Sequence, residues 1–92
     1  MLALPEHLTL RNAQDVLRAL QADIAASRDA VCVDAAAVRQ VDSAALAVLL
    51  ACKRSAQAKR LAFEVSNMPP RLRDLADLYG VQELLEAPPA VG

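Results

Sequence analysis

Three stretches decide the fold: Ala30-Val31-Cys32-Val33-Asp34, then Val41-Asp42-Ser43-Ala44-Ala45-Leu46-Ala47-Val48-Leu49-Leu50, then Leu61-Ala62-Phe63-Glu64-Val65. The first is a short apolar run with β-branched residues, bounded by polar ones, and reads as a buried strand. The second opens on short polar residues and is then apolar nearly all round for two turns. It reads as a deeply packed helix over residues 43–57. Lys53, Arg54 and Lys59 near its end suit a helix C-terminus, where the macrodipole favours positive charge. The third stretch alternates with period two and reads as a strand. Strand, helix and strand in that order form a βαβ unit, so the two strands run parallel through a right-handed crossover.

Working outward, Leu2, Ala3 and Leu4 form a short first strand, which Pro5 confines to an edge or an end. Leu8-Thr9-Leu10 is a second short extended piece. Ala13, Val16, Leu17, Leu20 and Ile24 then recur at helical spacing, with Thr9 or Asn12 as the cap and Ser27-Arg28-Asp29 as the end. Residues 35–40 are a connection, with Val38 and Val41 turned inward. Asn67-Met68-Pro69-Pro70 is a turn leading into a third helix, marked by Leu72, Leu75, Ala76 and Tyr79, with Arg71, Arg73, Asp74 and Asp77 mostly outward. Gly80 is its C-terminal cap. Residues 81–85 add one apolar turn. The chain reads as one domain over 1–92, with a core over about 4–85 and a loose tail over 86–92.

Composition excludes several function classes. Only one Phe, one Tyr and no Trp occur among 92 residues, so platforms for stacking on bases are missing. The net charge is −1 and no dense basic stripe appears, which removes the main source of nucleic-acid affinity. The longest run of large apolar residues, 46–52, falls far short of the ~20 a membrane span needs. The N-terminus has no basic segment followed by a long apolar one, so no signal peptide is expected and the chain reads as cytoplasmic. Cys32 and Cys52 lie far apart inside apolar segments and read as free thiols.

A search for catalytic groups finds none. His7 stands alone beside no nucleophile. Gly80 and Gly92 are the only glycines, so no phosphate-cradling loop can form, and no metal-ligand spacing or paired carboxylates are marked out. No enzyme activity and no cofactor are expected. The informative place is Asp42-Ser43. Either residue can cap the apolar helix that follows, and an aspartate also suits the helix dipole. A serine exposed at a helix N-terminus would in addition accept a phosphate there.

The order of elements, Asp34 at a strand end, and Asp42-Ser43-Ala44-Ala45-Leu46 at a helix start together resemble STAS domains, over about residues 4–85. This family includes anti-anti-sigma factors and the small MlaB-type STAS subunit of the Mla phospholipid ABC transporter. Leu75-Ala76-Asp77-Leu78-Tyr79-Gly80 looks more like the Mla subunit. The resemblance implies an α/β fold, a small mixed β-sheet of about four strands packed by helices. It implies a non-catalytic interaction subunit that binds and supports the cytosolic ABC-transporter ATPase, cytoplasmic and peripheral at the inner membrane through that complex. The alternative it implies is an anti-sigma factor antagonist that captures an anti-sigma factor kinase until Ser43 is phosphorylated, since Ser43 matches the hydroxyl position modified in kinase-regulated relatives. Ala45 stands where the family usually has glycine, and its methyl group would narrow a partner's approach. The expected interaction surface is Asp42, Ser43, Ala44, Ala45, Arg71, Asp74 and Tyr79. Tyr79 is either an interface anchor or, from its helical phase, a core residue.

Overall fold

The computed structural model describes residues 2–85. The elements run β1 (Leu2–Ala3), β2 (His7–Leu8), α1 (Ala13–Ala26), β3 (Val31–Asp34), β4 (Gln40–Val41), α2 (Ser43–Ala58), β5 (Phe63–Ser66), α3 (Pro70–Leu78) and a last helical turn α4 (Gln82–Leu85). The expected tail over 86–92 lies outside the described residues.

The βαβ unit is present. β3 and β5 pair in parallel, Val31 opposite Phe63 and Asp34 opposite Ser66, with α2 as the crossover. β1 adds in parallel on the other side of β3, giving the order β1-β3-β5. The side chains alternate as a pleat requires. Val31, Val33, Phe63 and Val65 are buried toward the helices, while Cys32, Asp34 and Ser66 are half-buried and Glu64 is exposed.

The α/β class holds, but the sheet differs from the mixed one of about four strands. All ladders among the described residues are parallel, and β2 pairs with β4 in a separate two-stranded set. The cause is local. Leu4-Pro5-Glu6 offers no hairpin turn, so β2 cannot fold back on β1. Glu6 O instead accepts from Arg39 N at 2.7 Å and Gln40 N at 3.2 Å, which draws β2 to the segment after β3. Gln40–Val41 is therefore a strand, though the sequence reads as connection through Gln40; of the two valines expected to turn inward, Val38 is buried and Val41 half-buried.

Helix ends explain the other shifts. At α2, Arg60 takes the left-handed conformation (φ 60°), its N–H reaches Gln57 O, and Leu61 N–H reaches Ala56 O. This is a Schellman closure. It uses up Leu61, so the strand begins at Phe63. Gly80 (φ 70°) closes α3 in the same way, with Gly80 N–H to Asp77 O and Val81 N–H to Ala76 O. Lys59 does not serve its own helix. Its ammonium donates to Ile24 O, Ala25 O and Ser27 O at 2.9, 2.7 and 2.6 Å, gathering the carbonyls at the end of α1. Lys53 likewise donates to Leu84 O at 2.6 Å and ties α4 to α2.

The core is one cluster. Leu20 and Ile24 of α1, Leu46, Val48, Leu49 and Cys52 of α2, Leu72 and Ala76 of α3 and Leu85 of α4 pack over Val31, Val33, Phe63 and Val65. Cys52 is fully buried and Cys32 half-buried, both as free thiols. Burial pushes the Cys52 thiol up from its ordinary value to about 11.

Candidate interaction site

The site begins with Asp42, the N-cap of α2. Its extended backbone (φ −137°, ψ −171°) turns the carboxylate back over the first turn, where Oδ1 accepts from Ala44 N at 2.8 Å. Oδ2 accepts from Leu10 N at 3.0 Å, thirty-two residues away. One side chain thus caps the helix and pins the 9–12 turn against it. That turn is held from within by Asn12, whose Oδ1 accepts from Thr9 N and whose Nδ2 donates to His7 O. Asn12 therefore folds the turn and makes no side-chain cap for α1, and the Thr9 hydroxyl goes to Arg11 N instead.

Because Asp42 is the cap, Ser43 is left free. It is the first residue of α2, exposed, and no hydrogen bond engages its hydroxyl among the described residues. Ala44 is half-buried. Ala45 is fully buried in the core, which removes it from the expected surface. The helical phase set by Leu46 and Leu49 carries it inward, and its methyl group packs in the core instead of narrowing a partner's approach.

A groove of about 750 Å³ opens beside Ser43. One wall is Val41, Asp42 and Ser43. The other comes from α3 and its C-terminus: Pro70, Arg71, Asp74, Leu75, Leu78 and Tyr79. Five of the seven expected residues therefore line one groove: Asp42, Ser43, Arg71, Asp74 and Tyr79. A smaller neighbouring cavity of about 360 Å³ adds Thr9, Arg39 and Gln40 around the shared Val41, Asp42 and Arg71. Arg39 makes a long, exposed ion pair of 3.7 Å with Glu6, of little energetic consequence.

Two large apolar side chains stand exposed in the groove. Leu78 is 77% exposed and Tyr79 57% exposed. Tyr79 sits one residue beyond the last full turn of α3, where no element covers it, so it is a surface residue. Leu10, 80% exposed, lies in the turn that Asp42 holds. Three of the four large exposed apolar side chains among the described residues thus belong to the groove or to the turn beside it, a pattern typical of interaction surfaces. Leu78 and Leu10 were not among the expected site residues. Leu78 had a visible signal: a leucine out of phase with Leu72 and Ala76, on the side of α3 that should be polar.

Asp34, at the end of β3, closes the neighbouring loop. Its Oδ1 accepts from Asn67 Nδ2 at 3.0 Å and from Ala36 N at 2.9 Å, and these bonds hold its carboxyl below the ordinary value. No cluster of His, Cys, Asp or Glu that could hold a metal ion occurs among the described residues. No helix among them is long and apolar enough to cross a membrane.

Against this geometry the chain matches the family model described as MlaB, STAS domain, over residues 1–86. The chain belongs to the MlaB-type STAS domain family. STAS domains are interaction and regulatory domains, in general without enzymatic activity, and the exposed groove at the α2 N-terminus accords with that role. A comparison with curated proteins finds no match.

Proposed function

We propose that this chain is a non-catalytic subunit that binds and supports the cytosolic ATPase of an Mla-type phospholipid-transport ABC complex. The observation that carries the reading is the groove at the start of α2. A free serine hydroxyl, exposed Leu78 and Tyr79, and the charged rim of Arg71 and Asp74 converge on one face, in a chain of the MlaB-type family. The chain works in the cytoplasm and reaches the inner membrane through its partner, without entering it. Its action is thermodynamic. A protein with no reaction of its own shifts a partner between states when it binds one state better. Docking of apolar side chains supplies affinity, and the rim sets orientation.

One observation favours a second reading. The Ser43 hydroxyl is exposed, unbonded and at a helix N-terminus, as the substrate of a kinase-type anti-sigma factor must be. An exposed hydroxyl also suits a plain protein contact, and the match to the MlaB-type family model supports placing the transporter reading first.

The experiment presents the purified chain to two partners from the same genome: the ATPase of the Mla-type complex, and a kinase-type anti-sigma factor with ATP. Saturable binding to the ATPase, with a raised melting temperature for that ATPase, supports the first reading. Transfer of phosphate to Ser43 by the anti-sigma factor, without ATPase binding, overturns it in favour of the second. Binding to neither removes both.

A further inference from the structure

One stripe of α3 carries exposed charges that no side chain among the described residues engages, beside Leu75, which packs partly against the core. Arg71, Asp74, Leu75 and Leu78 stand at i, i+3, i+4 and i+7, so they share a face of the helix. All four line the groove. Arg71 and Asp74 are exposed, opposite in charge and one turn apart, and neither enters an ion pair or side-chain hydrogen bond among the described residues. Beyond them, Leu78 and Tyr79 project at the C-terminal end, while Pro70 lines the groove at the N-terminal end.

Such a stripe is its own complement. A second α3 laid antiparallel, about a two-fold axis between Arg71 and Asp74, places Arg71 of each copy opposite Asp74 of the other. Both charges on both helices are then satisfied with no third component. The same rotation sets Leu75 of each copy opposite Pro70 of the other and carries the exposed Leu78 and Tyr79, about 8–10 Å along the helix from the axis, over the turn that leads into the other copy's α3. A contact of this kind is isologous, and reciprocity of opposite charges and of ridge with groove is what an isologous contact requires. The net charge of −1 opposes the approach of two copies only weakly.

We infer that the free chain forms a two-fold homodimer through α3, held by reciprocal Arg71–Asp74 pairs over the groove. This goes beyond the reading above, and its test needs no partner protein. Dimer and partner use the same face, so they exclude one another, and dimerisation covers Leu78 and Tyr79 while no partner is bound. One nine-residue helix and a groove rim cover less than a standard interface. The dissociation constant is therefore on the order of 10–100 μM.

The test is sedimentation equilibrium of the full chain across that range and up to about ten times above it. The wild type shows a reversible monomer–dimer equilibrium. Arg71→Asp alone and Asp74→Arg alone each set like charges against each other twice. Each raises the dissociation constant tenfold or more, with unchanged circular dichroism because both sites are exposed. Mixing these two variants one to one restores the dimer, because every acidic position of the first then faces an arginine of the second. A wild type that stays monomeric at the highest concentration overturns the inference. So does a dimer that either single variant leaves intact, which would lie on another face, or a mixture that remains monomeric.

Discussion

Replacing Asp42 with alanine removes two hydrogen bonds that no other side chain can make: the cap on Ala44 N and the bond from Leu10 N. Loss of a capping aspartate costs about 1 kcal/mol, within a range of roughly 0.5–2. Loss of its negative charge from the helix N-terminus adds about 0.3–1 kcal/mol. The bond from Leu10 N is exposed, so water replaces it and its loss adds a few tenths of a kcal/mol. The sum is about 2 kcal/mol. For a chain of this size that lowers Tm by roughly 8–16 °C. Asp42→Asn keeps an oxygen on the cap but loses the charge and the second acceptor, so it should recover about half of the loss. Ser43→Ala should cost less than about 0.5 kcal/mol, since the Ser43 hydroxyl caps nothing and alanine is a good helix former. Urea titrations of the three variants supply the comparison, and amide exchange at Leu10 and Ala44 should quicken only in the Asp42 variants. A Ser43→Ala chain destabilised as much as Asp42→Ala would refute the assignment of the cap.

Three further outcomes follow from particular bonds. Arg60→Gly should stabilise the chain by about 0.5–1 kcal/mol, because glycine adopts the left-handed conformation without strain; a lower midpoint in urea would show that the arginine contributes something else. The carboxyl of Asp34 titrates below its ordinary 3.8 in the fold, so its stabilising contribution is present above that pH and disappears as pH falls through the folded value. In Asp34→Asn the acid limb of the stability profile should therefore be flatter, and a carboxyl resonance in the wild type that titrates at or above 3.8 would contradict the account. Cys52, buried and with its thiol raised to about 11, should resist a thiol reagent in the native chain and react only on unfolding, whereas Cys32 should react slowly without denaturant. Equal native rates would place Cys52 outside the core.

The sequence carried the βαβ unit because each of its parts has a strong period: Val31 and Val33 against Cys32, Phe63 and Val65 against Glu64, and the long apolar run of α2. It did not carry β4 or the division into two parallel sets. Two-residue strands have no measurable period, and the bonds from Arg39 N and Gln40 N to Glu6 O join segments that sequence does not bring together. Lys59 was legible as a cap but not as a cap on another helix, since that depends on where α1 ends in space. At the site, Asp42 and Ser43 were visible as a helix start. Which of them caps, and therefore which is left free, was decided by a turn thirty-two residues earlier. Ala45 is not part of the surface, because its helical phase with Leu46 and Leu49 turns it into the core despite its place at the helix start. Tyr79 remained open because phase alone does not say whether anything covers the end of α3.

Docking of a partner in the groove at the start of α2 is tested by the affinity of Ser43→Asp and Ser43→Glu for the purified ATPase of the Mla-type complex, measured by titration calorimetry. Negative charge suits a helix N-terminus, so both variants should melt as the wild type does or slightly above it. A charge carried into a contact surface must be desolvated, and the solvent-exposed Arg71 of the same groove offsets only part of that cost, so against a partner surface that sets no cation there both should bind tenfold or more weakly, a loss of about 1.4 kcal/mol or greater. Variants that fold normally and bind the ATPase as tightly as the wild type would contradict the claim and leave Ser43 as the plain first residue of a helix.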